Sequence, residues 1–127
     1  MTAWRKEELR RIAEADDLRI APFLEDGVTY SAPTWILSVA VDEALYARSF
    51  NGPRSMWYQA AVRQQAGRIT AADRLKEVTF EPVNGPSHEA INDRIDDAYR
   101  TKYRGSPYLN AMIGKRARAA TVKILPR

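Results

Sequence analysis

The sequence has 127 residues, the length of one ordinary domain, of which 45% are hydrophobic and 28% charged. This composition is typical of a globular chain with a single core, and the net charge of +4 does not by itself indicate a nucleic-acid partner. Cysteine is absent and His88 is the single histidine, which excludes disulfides, thiolate catalysis and cysteine-based metal sites. We therefore predict no metal site.

Neither a targeting signal nor a membrane span is expected. The most apolar window, Trp35–Val41, has seven residues, whereas a membrane-spanning helix needs about 20. The first fifteen residues mix charged with apolar positions and lack the uninterrupted apolar run of a signal peptide. We expect a cytoplasmic protein.

The first half of the chain predicts one helix followed by three strands. Thr2 is placed to cap a helix that extends to about Ala15. The strands are expected at Leu18–Leu24, Thr34–Val41 and Ala44–Phe50, with an Asp26–Gly27 turn after the first. Alternation along the second strand places four side chains on one side: Trp35, Leu37, Val39 and Val41.

The second half interleaves helices and strands. Ser55 is placed to cap a helix that extends to about Ala66, and Gly67 fits the left-handed position that ends many helices. Ser87 is placed to cap a longer helix, to about Arg104. The remaining elements are strands at Arg68–Thr70, Leu75–Val83 and Ala117–Leu125 and a short helix after Ser106-Pro107.

Six predicted strands with helices inserted between them indicate an α+β fold in one domain, residues 1–127. A small antiparallel β-barrel with helices packed outside is the first expectation. The alternative is an open antiparallel sheet with helices on one face. Hairpin-length loops between the first three strands favour antiparallel pairing in either case.

Charge is distributed unevenly along the chain. Every acidic residue lies at or before Asp97, and eight basic residues follow it: Arg100, Lys102, Arg104, Lys115, Arg116, Arg118, Lys123 and Arg127. Such a basic end can mark an anion site or a solvated strand. Tyr99 and Tyr103 fall on helical core spacing instead of forming free stacking platforms, so we do not expect a nucleic-acid partner.

One segment, from Arg48 to Tyr58, combines the features of an anion site. It passes from a strand end through a tight turn into a helix and brings together Arg48, Ser49, Asn51, Gly52, Arg54 and Ser55. A helix start supplies amide donors and partial positive charge, and arginine supplies paired donors, which together suit a phosphate. A purely structural interpretation stays open, in which Ser55 only caps the helix and Asn51-Gly52 only forms the turn.

Across nearly its whole length the chain resembles a family of uncharacterised bacterial proteins known as a domain of unknown function. The matching motifs include Asp17-Leu18-Arg19-Ile20-Ala21-Pro22, Pro33-Thr34-Trp35-Ile36, Tyr46-Ala47-Arg48, Trp57-Tyr58-Gln59 and Ser106-Pro107-Tyr108. That family is similar, more weakly, to split-barrel proteins that bind FMN or a 5-deazaflavin. The weaker resemblance is to the deazaflavin-dependent nitroreductases and involves Ala47, Ser49, Gly52, Arg54, Trp57 and Tyr58.

The resemblance implies a six-stranded split barrel that forms a homodimer, with a cofactor in the groove between subunits. The flavin phosphate would meet Arg48, Ser49, Arg54 and Ser55, with Asn51, Gly52 and Trp57 also at the cofactor. FMN is preferred over a deazaflavin because the loop between the first two strands, Leu24-Glu25-Asp26-Gly27, is acidic where the nitroreductases are basic. Carboxylates there would repel any phosphate, and they would repel the long anionic tail of a deazaflavin more than the single phosphate of FMN.

Two functions are therefore expected as alternatives. One is an FMN-dependent oxidoreductase that acts on a small organic substrate by hydride transfer, where the cofactor supplies the chemistry. The other is a cofactor-free split barrel that binds a small ligand or transfers protons with Tyr46, Tyr58 and Arg48 as candidate groups.

Overall fold

The computed structural model describes residues 3–127, so the predicted cap Thr2 lies outside the described residues. The strands are β1 (Arg19–Pro22), β2 (Thr34–Trp35), β3 (Ser38–Val41), β4 (Ala44–Arg48), β5 (Ala66–Ala71), β6 (Arg74–Pro82) and β7 (Thr121–Pro126). The helices are α1 (Lys6–Glu14), α2 (Met56–Gln64), α3 (Glu89–Lys102), α4 (Leu109–Met112) and α5 (Lys115–Arg118). None of the helices in this part of the chain is long and apolar enough to cross a bilayer.

The seven strands form one antiparallel sheet in the order β2-β1-β5-β6-β7-β4-β3. Its two edge strands, β2 and β3, are separated in sequence only by Ile36 and Leu37. Three residue steps of extended chain reach about 11 Å at most. The sheet must therefore curl until its edges lie within that reach, which gives a half-barrel with helices packed against it.

The predicted strand Thr34–Val41 is not continuous. Its first four residues, 34–37, lead from one edge of the sheet to the other, and we call this segment the seam. The amide of Ile36 donates to Leu18 O at 3.0 Å and holds this part of the chain to the strand region before β1. Beyond the seam the chain pairs with β4 instead. The break interrupts the alternation, so Trp35 is exposed whereas Leu37 is buried; the prediction that they share a face was wrong for Trp35.

Strand β4 divides its side chains between two cores. Leu45 and Ala47 join the larger cluster, with α1 and α2, whereas Ala44 and Tyr46 join a second cluster beneath α3. Because side chains alternate along a strand, Arg48 falls on the same face as Tyr46. That face is covered by α3, and this placement decides the environment of the arginine.

The helix before β5 ends differently from the sequence prediction. Gln65, with φ of 58°, takes the left-handed position after α2. Gly67 lies within β5, where a Cβ would stand 2.5 Å from both Ala21 O and Pro22 Cα. This glycine therefore permits the close approach of β1 and β5. Ser87 likewise makes no cap: it lies in a 3-10 turn, and α3 begins at Glu89.

Candidate functional site

A cavity of about 200 Å³ lies beside the seam, and we call it the seam cavity. Four parts of the chain form its wall: the seam, the end of β4 with the following turn, the start of α2, and the region of α4. The lining residues are Thr34, Trp35, Ile36, Leu37, Arg48, Ser49, Phe50, Asn51, Ser55, Trp57, Tyr108 and Met112. Five of the seven residues predicted for cofactor binding are among them.

Three partly exposed aromatic side chains surround the cavity: Trp35, Phe50 and Tyr108. Tyr108 meets both of the others edge to face, with ring centroids 6.3 Å from Trp35 and 5.8 Å from Phe50. The indole of Trp35 is held in place because its Nε1 donates to Asp16 O at 2.7 Å. Each of the three rings is more than 40% exposed, so this aromatic rim offers apolar surface to a bound molecule.

The start of α2 adds hydrogen-bond donors to the wall. Ser55 caps the helix as predicted, since its Oγ accepts from the Tyr58 amide at 3.2 Å. The amides of Met56 and Trp57 belong to the first helical turn and have no intrahelical acceptor. These donors carry the partial positive charge of the helix start.

Ser49 is held rigidly by its main chain but not by its side chain. Its amide donates to Ala120 O at 3.1 Å, and its carbonyl accepts from the Gly52 amide at 3.0 Å. The side chain is buried, and within residues 3–127 its Oγ has no hydrogen-bond partner. A buried hydroxyl without a partner is destabilising by about 1–3 kcal/mol, so this one stands out in the cavity wall.

Arg48 is the centre of a buried polar network. Its guanidinium donates to Thr121 Oγ1 at 3.0 Å, to Met112 O at 3.1 Å, and to both the carbonyl and the Oδ1 of Asn92. It also forms an ion pair with Asp96, which in turn accepts from Arg118. Burial lowers the pKa of Arg48, and the hydrogen bond that Arg48 donates to Asp96 opposes that shift.

These contacts use all five N–H groups of Arg48. The guanidinium is therefore not free to hold a phosphate, and the expectation that it would do so does not fit its surroundings. Gly52 and Arg54 lie next to the cavity without lining it. Gly52 is pressed against Arg116, whose Cγ would collide with an added Cβ, and Arg54 is exposed. Of the four predicted phosphate ligands, Ser49 and Ser55 therefore line the cavity and Arg54 lies beside it, whereas Arg48 is held in its own network.

The two tyrosines considered for proton transfer lie outside the cavity wall and apart from each other. Tyr46 packs in the cluster beneath α3, and burial raises its pKa. Tyr58 packs in the other cluster, where its hydroxyl accepts from Asn84 Nδ2 at 2.9 Å. Burial raises the pKa of Tyr58 as well, and the Asn84 contact opposes this. Neither hydroxyl is brought to the cavity or to the guanidinium of Arg48.

The acidic loop predicted to repel a phosphate lies elsewhere. Asp26 is occupied within its own turn, where it accepts from the amides of Val28 and Thr29 at 2.9 and 2.8 Å. The atom nearest to an added Cβ on Gly27 is Oε1 of Gln64, at the last residue of α2. The loop is therefore beside the end of α2 opposite to the cavity.

Sequence reasoning did not find the seam or the α4 part of the wall. Residues 34–37 were expected within a regular strand, and no pattern marks the break. In the sequence, Tyr108 stands out only as the last residue of the family motif Ser106-Pro107-Tyr108. Its position after Ser106-Pro107 at the start of a short helix could have indicated a side chain held at an element boundary.

The fold and its cavity define an α+β protein with a pocket at the junction of two sheet edges. The chain belongs to the bacterial family described as "Uncharacterized protein conserved in bacteria (DUF2255)", whose model matches residues 8–124. This confirms the first resemblance, whereas nothing in the comparisons supports the second, to flavin-binding nitroreductases.

A solved structure with a similar fold is that of the conserved hypothetical protein Rv2991 from Mycobacterium tuberculosis. The two share 14% identity with a TM-score of 0.61, over 98% of this chain and 80% of the other. At that identity the likeness concerns the fold alone. No curated protein matches this chain.

Proposed function

We propose that this protein binds a small planar organic molecule in the seam cavity. The observation that carries the proposal is the combination, in one wall, of an exposed aromatic rim and a buried Ser49 hydroxyl without a partner among the described residues. Binding sites for small molecules are concave and mostly apolar, with a few polar groups that fix orientation. The seam cavity has this character.

The size of the cavity favours a single ring system. Apolar cavities of about 150 Å³ hold one benzene ring, and the seam cavity measures about 200 Å³. A substituted ring fits that space, whereas a three-ring flavin with its phosphate tail would have to extend beyond it. The cofactor-free alternative from the sequence is therefore the better supported of the two.

The proposal includes two finer features of the fold. We take the curled sheet to be a six-stranded split barrel, in which β2 and β3 are the halves of one bent strand. The homodimer implied by the resemblance also stays a prediction, and measuring the molar mass in solution by light scattering tests it.

FMN binding for hydride transfer is the second candidate, and one observation favours it. Arg54 is exposed beside the capped start of α2, so it can approach an anion there. If FMN binds through this arginine, Arg54→Glu weakens binding in a fluorescence-quenching titration. Arg63→Glu, an exposed arginine in the last turn of the same helix, leaves it unchanged. Equal affinities of the two variants would contradict the phosphate assignment.

The proposed function is tested by titrating the 15N-labelled protein with small aromatic compounds. We expect saturable NMR shifts at the amides of Trp35, Ser49 and Tyr108. Tyr108→Ala removes the ring that contacts both other rim aromatics, so it should weaken binding two- to tenfold, the range expected for aromatic pairs. Leu75→Ala removes an exposed apolar side chain from β6, outside the wall, and should have no effect. Shifts confined to other surfaces would overturn the proposal.

A further inference from the structure

The buried hydroxyl of Ser49 indicates what the ligand must carry. Main-chain hydrogen bonds fix the residue on both sides, to Ala120 and to Gly52, so the backbone cannot move to provide a partner. Oγ itself is closed to solvent, so a ligand in the cavity that Ser49 lines reaches it only when the side chain rotates about its Cα–Cβ bond. A ligand oxygen or nitrogen that pairs with the rotated hydroxyl would remove the penalty of leaving a polar group buried and unpaired. The ligand is therefore expected to present a polar atom at this part of the wall.

The electrostatics of the wall favour an anionic atom there. Of the described residues that line the cavity, only Arg48 carries a formal charge, and its ion pair with Asp96 offsets it. The nearby start of α2 contributes partial positive charge through the amides of Met56 and Trp57. The serine hydroxyl can donate to an anion, and no carboxylate among these residues opposes one.

From these observations we infer that the ligand is a planar aromatic acid, whose ring lies against the aromatic rim and whose carboxylate accepts from the hydroxyl of Ser49 beside the start of α2. The inference rests on the proposed function and specifies its ligand class. The aromatic rim alone would also suit an organic cation, but the wall offers such a cation no carboxylate partner within the described residues.

The chain provides a matched control for Ser49. Ser38 has a second buried hydroxyl without a partner in residues 3–127, and it does not line the cavity. Its main chain is also fixed, through hydrogen bonds with Tyr103 and Lys102. Replacing either serine by alanine removes one unpaired hydroxyl, but only the change at Ser49 alters the cavity wall.

The test compares three probes of similar shape by NMR titration: benzoate, the neutral benzamide and the cation phenyltrimethylammonium. We expect benzoate to bind most tightly. Ser49→Ala should weaken benzoate at least tenfold, the effect of losing a hydrogen bond to a charged group. The same variant should be as stable to urea as the wild type, or more stable, because it removes an unpaired polar group. Ser38→Ala should share the stability effect and leave benzoate affinity unchanged.

The outcomes separate the two proposals. If none of the probes shifts the amides of the cavity wall, the proposed function fails and the ligand class fails with it. If all three bind there with equal affinity, or if Ser49→Ala binds benzoate as well as Ser38→Ala does, the ligand is not an acid held by Ser49, and small-molecule binding itself stands. Tightest binding of the cation would also overturn the inference.

Discussion

Among the single residues, Arg48 has the clearest effect on the packing of the helices against β4. The guanidinium joins β4 to α3 through Asn92 and Asp96, and to the last residue of α4 through Met112 O. Since the side chain is fully buried, its charge is compensated only by this network. The residue therefore joins the strand and helices behind the cavity wall, and in the proposed function the ligand contacts belong to Ser49 and the rim.

The network predicts very different effects for two neighbouring aspartates. Asp96→Asn should lower the free energy of unfolding by about 3 kcal/mol, because it leaves the buried charge of Arg48 without its carboxylate. Asp97→Asn should change it by less than about 1 kcal/mol, since Asp97 forms an exposed pair with Arg100. Urea denaturation measures both. Similar losses in the two variants would show that the buried pair has no special role.

Most helices and strands could be predicted from the sequence. The predictions failed where contacts between distant parts of the chain determine how a segment pairs. Alternation and turn residues located β4 and β6, and Ser55 caps α2 as predicted. The start of β5 was wrong because Gly67 belongs to the strand, and the last strand begins only at Thr121 because Ala117 lies in α5. The seam could not be predicted, because its break depends on which strands pair with each half. The burial of Arg48 had a signal: Asn92 and Asp96 lie on the same helical stripe as Tyr99 and Tyr103. Polar residues on a buried stripe indicate a buried partner.

Gly67 gives the clearest prediction for the pairing of elements. Gly67→Ala should destabilise the protein by about 1–3 kcal/mol, because the new methyl group would collide with backbone atoms of Ala21 and Pro22 and push β1 away from β5. Gly114→Ala is the matched control, since a Cβ there meets its nearest atom at 3.4 Å and the residue has φ of −80°. Thermal unfolding compares the variants, and equal midpoints would contradict the close approach.

Across the whole molecule, the curled sheet has its shortest strand pairing beside the seam. β2 pairs with β1 over two residues, whereas β5 pairs with β6 over six. Short pairings open more readily than long ones, so local stability should be lowest beside the cavity. Entry of a ligand is expected at this side of the molecule.

Hydrogen exchange tests this difference in local stability. The amide of Ile36, which donates to Leu18 O, should exchange faster than that of Phe80, which donates to Gln65 O beside the paired β5 and β6. A cavity ligand should slow exchange at Ile36 and leave Phe80 unchanged. Uniform protection of the two amides in the free protein would show that the seam opens only with the whole sheet.

The passage of one short chain segment from β2 to β3 also limits how the two sheet edges can pair with other molecules. Open sheet edges are templates for pairing with other molecules, and here the two edge strands are brief and tethered to each other through Ile36 and Leu37. A proteolytic nick between these two residues would untether both edges at once. The nicked chain should then pair edge to edge with other copies, which makes the intact peptide bond at this position a barrier to such pairing.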